Sequence, residues 1–189
     1  RSAQAQREIP PSWDFVVEIP DLGRGLADVT WTVRGFGPDR PLRVCGDMND
    51  AERYVVRIER LYGGDPSAAQ GAGPGAPEGL QRRPLRRDGR CWRVPDADPR
   101  GVVLHYLYDL RDLASRNGSP DYAQRLGETY IFNDETMFLR PDPLPRRSED
   151  GPEPLIHIDL RLPPGTQVAA PWQRLQGPGL RFVLDAAQY

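Results

Sequence analysis

Apolar and polar side chains alternate along several segments of this sequence, and this spacing constrains the fold more than any other feature. The period of two is clearest in residues 13–19 (WDFVVEI), 28–36 (DVTWTVRGF), 54–61 (YVVRIERL), 155–162 (LIHIDLRL) and 180–186 (LRFVLDA). Successive side chains of a strand point to opposite faces, so each segment predicts a β-strand with one buried face. In residues 54–61, we expect Tyr54, Val56 and Ile58 on the buried side.

Proline and glycine separate these strands and argue against helices. The 189 residues include 21 prolines and 19 glycines, and a proline inside a helix costs about 3 kcal/mol. We predict an all-β fold, an antiparallel β-sandwich of roughly eight to ten strands. It should form one domain over residues 13–189, behind a disordered or extended segment at residues 1–12. A helix of one or two turns could form in residues 119–128 (SPDYAQRLGE).

Two neighbouring segments have an unusual composition. Residues 63–81 are rich in Gly, Pro and Ala and contain few large apolar side chains, which predicts a long mobile loop. Residues 82–93 (RRPLRRDGRCWR) contain six arginines and one aspartate. They could form an anion-binding patch, or a solvated hairpin arm whose charges protect a sheet edge. We favour the second interpretation because the whole chain is net negative.

Charge and composition restrict the classes of binding partner and the cellular compartment that we expect for this protein. A formal net charge of −2 gives no general attraction to nucleic acid or to an anionic membrane. No apolar run approaches the roughly 20 residues of a membrane-spanning helix. All cationic residues are arginine, as coding bias in a GC-rich bacterial genome would produce. The polar N-terminal segment resembles what remains after signal cleavage, so we expect a periplasmic, cell-envelope or secreted protein. Cys45 and Cys91 could form a disulfide or remain as buried thiols.

Motifs for catalysis are missing from these residues. The two histidines, His105 and His157, lie in no HExxH motif, and no GxSxG or phosphate-binding glycine loop is present. We therefore expect no catalytic residue, no metal and no cofactor. His157 and Asp159 share the outward face of one strand, where they could bind a metal together or form a proton relay. We favour the interpretation that they are a simple surface pair. His105 is expected to be a packed, hydrogen-bonded residue of a central strand.

Residues 91–110 are expected to belong to the core. Trp92 and Val94 begin a strand, and Tyr106 and Tyr108 share one face of the strand in GVVLHYLYDL. Burying aromatic rings of this kind contributes roughly 1.5–3 kcal/mol each. This segment therefore predicts packing rather than a reaction centre.

Six short patterns follow one another along the chain. They are WDFVVEIPD (13–21), VTWTVRGF (29–36), WRV (92–94), VVLHYLYDL (102–110), TMFLRPDPL (136–144) and LPPGTQVAAPWQRL (162–175). Their order resembles the N-terminal domain of the glycyl-aminopeptidase family of zinc metallopeptidases, whose members often carry a PDZ domain. The resemblance implies a β-sandwich that packs against a catalytic peptidase domain, in cis or in trans, and helps to shape its peptide-substrate cleft.

The chain also departs from that family. Residues 43–56 (RVCGDMNDAERYVV) replace a turn rich in proline and tryptophan, residues 21–29 lack an early histidine, and no HExxH helix is present. We expect a non-catalytic accessory domain, with an independent binding module for peptide or carbohydrate as the alternative. A concave patch of exposed rings such as Trp172, Tyr122 and Tyr130 would indicate the binding module. A broad apolar face without a pocket would indicate the accessory domain.

Overall fold

The computed structural model describes residues 10–36, 41–46, 52, 54–63, 80–98, 100–111, 123–126, 129–132, 137–142 and 154–185. Strands dominate this part of the chain, and a short 3-10 helix, Leu22–Arg24, follows the first strand. The strands are β1 Ser12–Glu18, β2 Leu26–Arg34, β3 Arg43–Cys45, β4 Val55–Tyr62, β5 Gln81–Pro84, β6 Arg86–Asp88, β7 Cys91–Arg93, β8 Val102–Asp109, β9 Ala123–Leu126, β10 Thr129–Phe132, β11 Arg140–Asp142, β12 Leu155–Arg161, β13 Gln173–Arg174 and β14 Leu180–Asp185. The predicted all-β fold is confirmed.

The strands form two main sheets and a hairpin. The larger sheet has eight strands in the order β13-β14-β12-β1-β2-β8-β4-β5, and the smaller has four in the order β11-β3-β7-β6. Strands β9 and β10 pair as a separate two-stranded sheet. All pairs in the larger sheet are antiparallel except β1 with β12, which run parallel.

The core lies between the two main sheets. Val44 and Trp92 of the smaller sheet belong to the same buried cluster as the inward side chains of β1, β2, β8, β12 and β14. Phe15 is central to this cluster, because its ring stacks on Trp31 with centroids 5.0 Å apart and contacts Phe138 at 4.6 Å. Tyr106 is fully buried and donates a hydrogen bond to the carbonyl oxygen of Met137 at 3.2 Å. This two-layer packing is the predicted β-sandwich.

The alternating pattern predicts the buried faces with one exception. Tyr54 and Ile58 are buried as expected, whereas Val56 is among the exposed large apolar residues. The pairing of β4 with β8 shifts by one residue between Val55 and Arg57. A bulge of this kind adds one residue to a strand, and here Val56 is that residue, so it is exposed while Ile58, opposite Tyr106, stays on the buried face.

Two further expectations fall on segments that the structure describes only in part. The helix suggested for residues 119–128 is wrong, because Ala123–Leu126 form strand β9, paired with β10. Most of the loop predicted at residues 63–81 lies outside the described residues, as do most of residues 1–12. Within the described part, Gln81 already begins β5 and Leu80 packs against Leu61 and Val103.

The arginine-rich segment forms the edges of both sheets. Strand β5 is the last strand of the larger sheet and β6 the last strand of the smaller one. The amide of Leu85 donates to the carbonyl oxygen of Ile58 at 3.0 Å, and hydrogen-bonded residues alternate along an antiparallel strand. Arg82 and Pro84 therefore turn their backbone groups outward, and Pro84 has no N–H to offer there. A proline and charges at an edge hinder pairing with another strand.

The described residues contain no helix that is long and apolar enough to span a membrane.

A disulfide links Cys45 to Cys91, which the sequence left open. The two residues lie directly opposite each other in β3 and β7, and they are 46 residues apart in the chain. The bond therefore closes a long loop that runs from β3 through β4, β5 and β6 to β7.

Removal of this disulfide should lower the free energy of unfolding by about 4 kcal/mol, because the unfolded chain regains the entropy of a 46-residue loop. Urea denaturation of a variant with Cys45→Ala and Cys91→Ala measures the loss. Wild-type protein in dithiothreitol is the matched control and should behave like the variant. An unchanged midpoint under reduction would count against the bond.

Replacement of Trp92 by alanine should cost about 3–5 kcal/mol, because the ring is 5% exposed and belongs to the shared core. Chemical denaturation measures the change. The neighbouring Arg93 is exposed on the same strand, so Arg93→Ala should shift stability by no more than about 0.5 kcal/mol. Equal effects from both substitutions would contradict the assignment.

Burial raises the pKa of Tyr106 and Tyr108 well above the ordinary tyrosine value. The unfolded chain releases these protons above about pH 10 while the folded protein retains them. Their contribution to the free energy of unfolding is thus complete below pH ~10. Above that pH, each of the two tyrosines should lower the free energy of unfolding by about 1.4 kcal/mol per pH unit. Tyr106→Phe should reduce the alkaline slope of the unfolding free energy by that amount. Identical slopes for variant and wild type would refute this.

Candidate functional site

A chain of hydrogen bonds crosses three strands on the outer face of the larger sheet, the face turned away from the smaller sheet. Asp14 of β1 lies directly opposite His157 of β12, and its Oδ1 atom is 3.0 Å from Nδ1 of the imidazole. Arg34 of β2 donates to the other carboxylate oxygen of Asp14. The Asp14 side chain is 13% exposed and that of His157 is 41% exposed. The aspartate is therefore held between strands, while the imidazole reaches solvent.

This arrangement determines what the imidazole can offer. A carboxylate only accepts hydrogen bonds, so Nδ1 of His157 carries the proton that points to Asp14. In the neutral ring, Nε2 is then a free acceptor, and Asp14 with Arg34 keeps the ring in one orientation. An oriented histidine of this kind suits the binding of a ligand that donates a hydrogen bond.

A groove of about 530 Å³ lies beside His157. Its outer-face lining consists of Asp14, Val16, His157, Asp159, Leu175 and Arg181, and we call it the His157 groove. Its volume is in the range of roughly 300–1,000 Å³ that is usual for small-molecule sites. Charged, polar and apolar side chains are all available in it.

Asp159 and Arg181 face each other across this groove without a hydrogen bond between them. They are directly opposite in the pairing of β12 with β14. Arg161 donates to Glu18 at 2.7 Å and stays 3.6 Å from Asp159. Among the described residues, Arg181 has no side-chain hydrogen bond or ion pair. One acidic and one basic side chain thus line the groove without a hydrogen bond to another described residue, and the acidic one is in an ion pair with Arg161.

The structure changes the predicted pairing of His157 with Asp159. Both residues line the groove, as their shared face suggested, but the partner of His157 is Asp14 and the nearest charged neighbour of Asp159 is Arg161. The partner of His157 comes from a strand 143 residues away in the chain. A proton relay between His157 and Asp159 therefore has no direct contact to support it.

The other histidine lies in a buried cluster on the same face. His105 is 2% exposed and sits in the central strand β8, as expected. Its Nε2 atom is 2.6 Å from Oδ1 of Asp28, and its Nδ1 atom is 3.9 Å from Oε2 of Glu59. Neither Nδ1 of His105 nor Oε2 of Glu59 has a hydrogen-bond partner. The ring is enclosed, so this cluster holds strands together rather than receiving a ligand.

The predicted aromatic candidates are packing residues in the structure. Trp172 is partly buried, with its ring 5.7 Å from that of Phe182 and 6.2 Å from that of Phe138. Tyr130 is also partly buried, and its hydroxyl donates to the carbonyl oxygen of Leu22. Tyr122 lies outside the described residues. The rings that the structure describes therefore do not form the concave exposed patch that would indicate a glycan or peptide module.

One set of three residues in the described part brings together atoms that could hold a metal ion. It consists of Cys45, Cys91 and Asp142, with ligand atoms within 4.8 Å of one another. The two sulfur atoms are joined in the disulfide, and a thiolate rather than a disulfide sulfur is the ligand for a metal. The disulfide therefore explains why these atoms lie close together.

Sequence reasoning missed Asp14, Arg34 and Arg181. Each lies on the polar side of an alternating segment, so its outward direction was predictable. Their meeting at one place was not, because it depends on the parallel pairing of β1 with β12 and on the register of β14.

No protein-family model matches this sequence, and no curated protein matches it. Among solved structures, the fold is similar to that of an aminopeptidase N family protein from Idiomarina loihiensis, with a TM-score of 0.57 and 15% sequence identity. The similarity covers 92% of this chain and 27% of that one. The chain therefore spans about a quarter of the length of this aminopeptidase, and at such low identity the comparison shows a shared fold.

Proposed function

We propose that this chain is the non-catalytic N-terminal β-sandwich domain of a glycyl-aminopeptidase-like metallopeptidase. In this role it packs on a catalytic domain and shapes the peptide-substrate cleft. The observation that carries the proposal is that nearly the whole fold, 92% of the chain, recurs within 27% of a longer aminopeptidase chain. The order of the six sequence patterns from residue 13 to residue 175 supports the same assignment.

The described residues do not show the broad apolar face without a pocket that would indicate the accessory domain. Both histidines are engaged by aspartates, His105 by Asp28 and His157 by Asp14. The exposed large apolar residues, Val56, Ile131 and Leu155, are on three different strands. They form no broad apolar face in the part of the chain that is described. Contact with a catalytic domain would then be of the mixed, partly polar kind that is common between domains of one chain.

The proposal includes a location outside the cytoplasm. A disulfide between Cys45 and Cys91 is typical of proteins that fold in an oxidising compartment such as the periplasm.

An independent binding module is the second candidate, and the His157 groove favours it. The groove has the volume of a small-ligand site and contains oriented polar groups. The two functions are compatible, since an accessory domain can also carry a ligand site.

An assay of zinc-dependent hydrolysis of glycyl-p-nitroanilide tests whether residues 1–189 are an accessory domain or an enzyme by themselves. The sequence encoded after codon 189 is expected to contain an HExxH helix and a downstream glutamate, the ligands of a catalytic zinc. The longer natural chain should bind zinc and release nitroaniline. Residues 1–189 alone should do neither, because they supply no such ligand set.

Two results would contradict the proposal. One is zinc-dependent hydrolysis by residues 1–189 alone. The other is a downstream sequence without zinc ligands, combined with no peptidase bound to this chain in its source cells. Far-UV circular dichroism of the short chain serves as the control, since a β-rich spectrum shows that inactivity is not caused by misfolding.

A further inference from the structure

We propose that the His157 groove binds a small zwitterion of the α-amino acid class, with Asp159 holding the ammonium group and Arg181 holding the carboxylate. This inference stands independently of the proposed accessory function, because it concerns groups within the described residues alone.

The charge balance of the groove favours a ligand that carries both signs. Asp14 and Arg34 neutralise each other through their hydrogen bond. Asp159 and Arg181 carry opposite charges, and among the described residues neither side chain makes a hydrogen bond, although Arg161 forms an ion pair with Asp159 at 3.6 Å. A simple anion would be repelled by Asp159 and a simple cation by Arg181. A zwitterion satisfies both groups and leaves the groove neutral.

The positions of the two groups match the separation of charges in an amino acid. Asp159 and Arg181 are directly opposite on neighbouring antiparallel strands, which places their Cβ atoms about 4.5–5.5 Å apart. The ammonium and carboxylate groups of an α-amino acid are attached to one carbon, so they can reach two adjacent side chains. The planar guanidinium group of Arg181 can donate two parallel hydrogen bonds to a carboxylate.

The other lining residues add direction and selectivity. Nε2 of His157 is an acceptor in the neutral ring and can take a second hydrogen from the ligand's ammonium group. Its orientation is held by Asp14 at 3.0 Å. Val16 and Leu175 provide apolar surface in the same groove, which favours an amino acid with an apolar side chain over glycine.

Binding of L-leucine to residues 1–189, followed by NMR chemical shifts, tests the inference. L-leucine should cause saturable shifts in His157 and Arg181. Leucinamide lacks the carboxylate and N-acetyl-leucine lacks the ammonium group, so each should bind at least about tenfold more weakly. Arg181→Gln and Asp159→Asn should each weaken the binding of L-leucine by a similar factor. Arg86→Gln, an exposed arginine on β6, is the matched control and should bind normally.

Several outcomes would overturn the inference. These are the absence of saturable shifts up to about 20 mM L-leucine, binding of either single-charge analogue as tightly as L-leucine, or normal binding by both groove variants. Arg181→Met offers a second variant if Arg181→Gln unfolds, and thermal unfolding confirms that each variant is native. Failure of this test leaves the accessory function unaffected, because zinc content and peptidase activity of the longer chain report on that function separately.

Discussion

The parallel pairing of β1 with β12 is the interaction on which the rest of this structure depends. It joins segments 143 residues apart, and a single central strand thereby connects β2, β8, β4 and β5 on one side with β12, β14 and β13 on the other. The inward side of β1 contributes Phe15, whose ring contacts Trp31 and Phe138. The outward side contributes Asp14, which holds His157. Core and groove therefore share one strand register, and a shift by one residue would exchange the two faces.

Much of this fold follows from local patterns, because period-two spacing and the 21 prolines and 19 glycines can be read without knowing which strands pair. The buried faces of β1, β2, β8, β12 and β14 are predictable in this way. Val56 is exposed because a bulge interrupts β4, and a bulge is set by the partner strand rather than by the sequence around it. Ala123–Leu126 form a strand for a similar reason, since pairing with β10 outweighs weak local helix propensity.

The candidate site was less predictable than the fold. His157 and Asp159 could be placed on an outward face from alternation, and both line the groove. Their partners come from β1, β2 and β14, whose positions depend on long-range register. The disulfide is a similar case, because the pairing of β3 with β7 brings Cys45 opposite Cys91. The similarity to an aminopeptidase N family structure concerns the fold alone.

The outward-facing Pro84 has a consequence for how this molecule can lie against a neighbour. Pro84 removes one main-chain donor from that flank, so strand pairing with a second polypeptide is hindered there and side chains take a larger part in any contact. The nearby side chains include Arg82, Arg83, Arg86 and Arg87. Attraction at this flank is consequently ionic and weakens as salt is added, since charges separated by more than about 8 Å are largely screened at physiological ionic strength.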